Sequence, residues 1–464
     1  MRKIPLPIYL YWILIHLFFL TSDITAVSEG QDRDKPEKAI ALTLKNVQDY
    51  AVKHALETRN ARLDIKEAKK LIWETTAFGL PQITSTVGYQ NMLKLPTTLI
   101  PAIIFDPNAP EDEFLELQFG VQHNATVDLA VNQLLFSGPY IVGLQASKIF
   151  LQLSKDQLKR TEIQVKEAVT KSYYLVLLAL ESKSILEENL KNLERLLFET
   201  RELYREGFLE ENDLDQIQIS VTTLTNALRS IKRQIRITQR LLKFQMGMPM
   251  ETEIRITESL QDIIGSIEAR ELLKQDLNVY DHIDYQMIIT QEKSLLLSLK
   301  KEKSEYLPSV SAFFNYTLTA MRDEFNFFKN TDDNWFPSMI AGINITIPIF
   351  DSGIKAAKIQ QAKYQLQKMK NNKQQVEKGL KLEYSQARSE FTDALENSKT
   401  NSANVKLALK IFDKATIKYR EGLISSLELI QMHNQYLNAE STHLQSKVDM
   451  LNAKTKLDVV LNRL

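Results

Sequence analysis

The chain has 464 residues, room for two or three ordinary domains, with 58 basic and 58 acidic side chains, 13 glycines, 13 prolines and no cysteine. Balanced charge without a basic run excludes nucleic acid as a partner, and the lack of thiols excludes disulfides and a lipid-anchor cysteine. The six histidines form no HExxH or other metal spacing, and no Gly-rich phosphate loop or G-x-S-x-G elbow occurs, so the chain reads as a non-enzyme without cofactor or metal.

At the N-terminus, Arg2 and Lys3 precede the apolar run Ile8 to Leu20. Its 13 residues fall short of the roughly 20 that a spanning helix needs, so residues 1–28 read as a signal peptide, with small Ala26 and Ser28 before the cut and an uncleaved anchor as the alternative. After Pro81, Ile83, Val87 and Tyr89 alternate with Thr84, Thr86 and Gly88. Val127, Leu129 and Val131 then alternate with Asp128, Ala130 and Asn132. Period-two alternation predicts half-apolar strands within about 82–136. The stretch between them, "LKLPTTLIPAIIFDPNAPEDEF" from Leu93 to Phe114, carries four prolines and reads as a loop.

From Tyr140 to Met248 there is no proline, and the tract is rich in Leu, Lys, Glu and Gln. One interior proline costs a helix about 3 kcal/mol, so this composition predicts long helices. Leu214, Ile217, Val221, Leu224, Leu228, Ile231, Ile235, Thr238 and Leu242 recur at alternating steps of 3 and 4, a coiled-coil seam. The first helix, from about Gly143, breaks at "LYREGFLEENDLD": Gly207 can take the left-handed conformation that ends a helix, and Arg205 suits the negative end of its dipole. Asn212 or Glu210 would cap the restart.

The second half repeats this order. Val310, Ala312, Phe314, Tyr316 and Leu318 share one strand face, as do Ile343, Ile345 and Ile347, joined through "NFFKNTDDNW". No proline follows Ile349, and "KYREGLISSLELI" breaks the helical tract at Gly422, with Ser425 and Glu428 at capping-box spacing. Tyr204 and Tyr419 lie 215 residues apart, as do Gly138 and Gly353; Pro81 and Pro308 lie 227 apart, so the first copy holds about a dozen extra loop residues. Tyr89, Phe313, Phe314, Tyr316 and Trp335 suit either an interfacial girdle or ordinary strand packing. His443 falls on the second seam where Leu228 stands in the first, and reads as packing. Four alternating strands cannot close a membrane barrel of at least about eight, whereas three copies supply twelve.

These features carry a resemblance. "IALTLKNVQDYAVKHALETRN" from Ile40, the Pro-Ile-Phe with its following Gly at Pro348 to Gly353, the Arg-x-Gly tips and the Leu-rich ends in both halves resemble the TolC-like outer-membrane efflux protein family across the mature chain. The resemblance implies mixed α and transmembrane β structure: a homotrimer whose 12-stranded β-barrel continues into a 12-helix α-barrel, with an equatorial belt from residues near 40–78, 249–290 and the C-terminal end. The expected division is a first repeat at 29–248 (equatorial helix 40–78, strands about 82–136, helical hairpin 140–248) and a second at 249–464 (equatorial segment 249–305, strands about 309–350, hairpin 353–464). It implies a passive exit duct in the outer membrane of a Gram-negative-type (diderm) cell, extending into the periplasm. Such a duct serves a tripartite efflux or type I secretion system, and its partners are outer-membrane lipid, a periplasmic adaptor (membrane fusion) protein and an inner-membrane transporter. A periplasmic adaptor or a trimeric coiled-coil envelope or surface protein is the alternative.

Carried over residue by residue, the resemblance places an acidic periplasmic gate at Asp213 and Glu428, each six residues past a tip glycine, with Gln431 standing where a second acid is expected. Simple helix capping by the same two acids is the competing account. Adaptor contact falls on the tips: Tyr204, Arg205, Gly207, Phe208, Leu209, Tyr419, Arg420, Gly422, Leu423 and Ser425.

Overall fold

The computed structural model describes residues 40–328 and 335–464; the expected signal peptide lies outside them. Four strands, β2 (Gln82–Asn91), β5 (His123–Phe136), β7 (Ser309–Arg322) and β8 (Phe336–Thr346), form one antiparallel sheet in that order. Register fixes its two faces. Ile83 pairs with Val131, Val131 with Phe314 and Phe314 with Ala341; further along, Val127 pairs with Leu318 and Leu318 with Pro337. Because directly paired residues share a face, one side collects Ile83, Val87, Leu129, Tyr316, Met339 and Ile343. The other collects Thr84, Thr86, Thr126, Asp128, Asn132, Asn315, Thr317, Ser338 and Asn344. Phe313 also lies on that second face, opposite Tyr89, Phe314 and Tyr316. Its ring covers Gly342, where an added Cβ would meet Phe313 Cζ at 2.7 Å. Among the described residues β2 and β8 have no outer partner, so the sheet ends in two open edges.

The expected loop after β2 is in part a second sheet. β3 (Thr97–Pro101) pairs antiparallel with β4 (Phe114–Gln118). The prolines do not prevent this because Pro101 occupies the last pair, opposite Phe114, where a missing N–H interrupts no ladder.

Below the sheet run the rods. α1 (Leu44–His54) and α2 (Leu56–Ala77) precede β2. α3 (Gly138–Arg205) has 68 residues and at 1.5 Å per residue is roughly 100 Å long. It begins ahead of the expected Gly143, because Ser137 accepts a hydrogen bond from Tyr140 N and Pro139 occupies the first turn, where proline costs nothing. α4 (Glu211–Met246) returns along it, burying Ile217, Val221, Leu224, Thr238 and Leu242 of the seam. The second hairpin repeats these lengths: α8 (Ile354–Arg420) has 67 residues, and α9 (Ser426–Val460) has 35 against 36 in α4.

The main core lies halfway along the rods. There β1 (Ile40–Leu42) pairs in parallel with β6 (Ile254–Ile256), and Leu42, Val47, Val169, Tyr173, Leu242, Met246 and Leu451 are buried together. Polar groups in this belt are closely matched. Glu258 accepts from Leu44 N at 2.7 Å and from Tyr173 Oη at 2.8 Å, and burial, then this carboxylate, push the Tyr173 phenol well above its ordinary range. Lys243, 8 % exposed, donates to the carbonyls of Met250 and, at 3.1 Å, Thr252. The short helices α5 (Leu260–Gly265) and α6 (Ala269–Leu272) and the long α7 (Ile283–Ser304) lie between β6 and β7. No helix among the described residues is long and apolar enough to cross a membrane.

Candidate functional site: the hairpin tips

Both Tyr-Arg-Glu-Gly segments fold alike. α3 ends at Arg205; Gly207 has φ +79°, Gly207 N donates to Tyr204 O at 3.0 Å and Phe208 N to Leu203 O at 2.9 Å. In the second copy Gly422 has φ +69°, with Gly422 N to Tyr419 O at 3.0 Å and Leu423 N to Lys418 O at 2.8 Å. These are Schellman turns, which require the left-handed residue that glycine supplies. Beyond them the chain restarts with unequal caps. Ser425 Oγ accepts from Glu428 N at 3.3 Å, whereas Glu210 holds the cap position of α4 without a side-chain bond, and Asn212 lies inside the first turn. Phe208 and Leu423, 76 % and 71 % exposed, project at the ends, and Leu209 is half-buried between them and the core.

Just above the turns, three contacts tie the two hairpins of one chain together. Arg420 holds Glu199 with two hydrogen bonds, 3.0 Å from Nε and 3.2 Å from Nη2. Tyr419 Oη lies 3.2 Å from Thr200 Oγ1 and is buried, which raises its phenol pKa. Ser426 donates to Asp213, with Oγ 2.5 Å from Oδ1, and its backbone N approaches the same oxygen at 3.4 Å. Ile217, Val221, Leu193, Leu197, Ala415 and Leu429 form the apolar layer beneath.

The structure thus separates residues that the repeat makes equivalent. Asp213 is half-buried and bound to the second hairpin, whereas Glu428 and Gln431 are exposed. Arg420 reaches across, whereas Arg205 bonds Glu202 of its own helix at 2.7 Å; Tyr419 is buried, whereas Tyr204 is exposed. Glu199, Thr200 and Ser426 are absent from the sequence reading. Their signal was available: at the 215-residue offset they face Lys414, Ala415 and Glu211, so the copies differ where one hairpin meets the other.

Higher along the second hairpin His433 is buried at 3 % exposure. The Asn189 amide donates to Ile185 O at 2.9 Å, which turns its Oδ1 toward the imidazole, 3.3 Å from Nε2; the Phe412 ring is 4.8 Å away. Burial pushes the His433 pKa from 6.5 down to about 4. The unfolded chain therefore takes up a proton that the folded chain refuses, so stability falls as pH drops from about 6.5 to about 4 and then levels off. At its limit the loss approaches about 3 kcal/mol. In denaturant titrations at about pH 7 and about pH 4.5, on either side of most of that change, His433→Leu is expected to reduce the acid shift of the midpoint.

A two-faced antiparallel sheet joined to two pairs of helical rods defines the fold as mixed α and β. The model of the family described as outer membrane efflux protein matches residues 296–463, which hold β7, β8 and the second hairpin. The resemblance read from the sequence therefore stands, carried by sequence in the second copy and by fold across both. No curated protein matches the chain. Among solved structures it is similar to CusC, described as forming a transmembrane channel, with TM-score 0.69 and 15 % identity over 94 % of this chain and 95 % of that one. The outer membrane protein VceC of Vibrio cholerae aligns with TM-score 0.65 and 13 % identity over 90 % and 95 %. The open-state outer membrane channel MtrE of Neisseria gonorrhoeae aligns with TM-score 0.66 and 14 % identity over 90 % and 88 %.

Proposed function

We propose that this chain is one third of a homotrimeric outer-membrane channel-tunnel, a passive exit duct of a tripartite efflux or type I secretion system. The observation that carries the reading is the sheet: one face apolar, one polar, with open edges at β2 and β8. A lone sheet of this kind leaves Val87, Met339 and Ile343 of the apolar face more than half exposed. Since β2 and β8 run in opposite directions, β8 of one copy can pair antiparallel with β2 of the next, and three copies close twelve strands. Strands of 10 to 14 residues meet the roughly 9 to 11 that a tilted membrane strand needs. The apolar face then meets lipid and the polar face lines water.

The same closure sets six hairpins side by side as a periplasmic tube. Phe208, Leu209 and Leu423 offer apolar contacts at the tips for an adaptor, which links the duct to an inner-membrane transporter. Asp213, with Ser426, Glu199 and Arg420, forms the resting latch of the gate, and exposed Glu428 and Gln431 face the passage. A soluble adaptor has one hairpin set among β domains, and a surface fibre has uninterrupted heptads; two strand-pair and hairpin units in one chain support neither.

Detergent extraction tests the assembly. The purified full chain is expected to run as a trimer whose strand signal in circular dichroism survives heating that melts the helices. A monodisperse, water-soluble monomer would defeat the reading.

A further inference from the structure

The four membrane strands carry few formal charges: across β2, β5, β7 and β8 the acidic and basic side chains are Asp128 in β5 and Arg322 at the outer end of β7, with His123 at the outer end of β5. Arg322 lies against the Phe327 ring, 5.1 Å from its centroid, on the apolar face. Asp128 is different. It sits inside its strand, and its register places it on the polar face, between Thr86 of β2 and Thr317 of β7. Its surroundings on that face are Thr84, Thr126, Thr319, Asn132, Asn315 and Ser338, all neutral. Thr317 Oγ1 donates to Asp128 Oδ1 at 2.6 Å, which fixes the carboxylate across the β5–β7 pair. The residue is half-buried in the single chain.

We propose that Asp128 determines the ion preference of the membrane barrel. Resting on the trimeric reading above, three copies set three carboxylates at one height in a lumen whose other inward groups are uncharged. A ring of like charges in a water-filled passage favours counter-ions and repels co-ions. Five residues of strand, roughly 17 Å, separate Asp128 from the outer end of β5 at His123, so the ring lies within the barrel, far from the acids at the periplasmic tips. The barrel is therefore a cation-preferring filter in series with the tip gate, and cationic solutes are the class it favours.

The test is the reversal potential of the full-length trimer in a planar bilayer under a KCl gradient, in an Asp213→Ala, Glu428→Ala background that removes the tip carboxylates. Residual cation preference is expected, with the K⁺/Cl⁻ permeability ratio falling toward one in Asp128→Asn and restored in Asp128→Glu. Asp128→Asn keeps an acceptor for Thr317, and Thr317→Val keeps the charge while removing the bond, so Thr317→Val is expected to retain the preference. An Asp128→Asn channel with an unchanged reversal potential would overturn the proposal while leaving the duct intact. A protein that forms no trimer and no channel would instead remove the underlying reading, and the proposal with it.

Discussion

Replacing Asp213 and Arg420 together by Ala is expected to raise the conductance of the trimer in a planar bilayer several-fold. The two residues hold the second hairpin against the first from different helices, Asp213 through Ser426 and Arg420 through Glu199. Their weights are unequal. The Arg420 and Glu199 side chains are 50 % and 36 % exposed, and an ion pair that accessible contributes at most about 1 kcal/mol. Asp213 is half-buried, and its hydrogen bond to a fully buried hydroxyl is charge-assisted, worth about 1.5 to 3 kcal/mol. A combined loss of about 2 kcal/mol shifts a closed-to-open equilibrium roughly thirtyfold in each protomer. Asp213→Ala alone should therefore account for most of the effect, and Arg420→Ala alone for little. Glu428→Ala, which touches no other hairpin within the chain, is expected to leave the open fraction unchanged. Equal conductance in wild type and the double variant would dismiss the latch and leave Asp213 a helix-terminal acid.

The second large effect concerns the glycines. Gly207→Val and Gly422→Val are expected to abolish export while the trimer still inserts. Both positions have positive φ and open space where a Cβ would project, so the penalty is backbone strain alone, about 1 to 2 kcal/mol and more for a β-branched side chain. That strain is relieved by reshaping the turn, which displaces Phe208 or Leu423 from the contact surface proposed for an adaptor. Gly247 has the same backbone sign, φ +68°, but opposite surroundings: a Cβ there would lie 2.5 Å from His54 O and 3.0 Å from Ala55 Cα. Gly247→Ala is expected to collapse the equatorial belt and yield little folded trimer. Measuring surface-accessible trimer alongside export separates the two classes. Export at the wild-type level in both tip variants would release the tips from any role in docking.

The architecture was legible in the sequence because it is written twice. Proline-free tracts, seam spacing and the 215-residue offset are local or periodic signals, and each recurs in register. Strand faces were equally readable, since alternation in one strand had only to agree with its neighbours. Other features escaped. The β3–β4 hairpin was obscured by prolines whose harm depends on where pairing ends. Of the two readings open for Phe313, girdle or strand packing, packing is the one its geometry supports, since strand parity turns it onto Gly342, away from Phe314. The Asp213–Ser426 and Arg420–Glu199 contacts join residues 213 and 221 positions apart, and no periodicity reports which faces of two rods will meet. His433 was read among unremarkable histidines, because its low pKa arises from the depth of its surroundings and not from any neighbour in sequence.

The matched rods, 68 and 67 residues down and 36 and 35 back, impose a rule on how such a chain can drift over generations. Lengthening one hairpin by a single turn would leave its end standing about 5 Å proud of its sibling, so that, in the proposed ring of six, level tips became a crown of alternating heights. Any viable change of reach must therefore be entered in both halves of the gene, and on the outgoing and returning helix alike. A chain of this design can be retuned at its surfaces freely, but its span is inherited as a matched set.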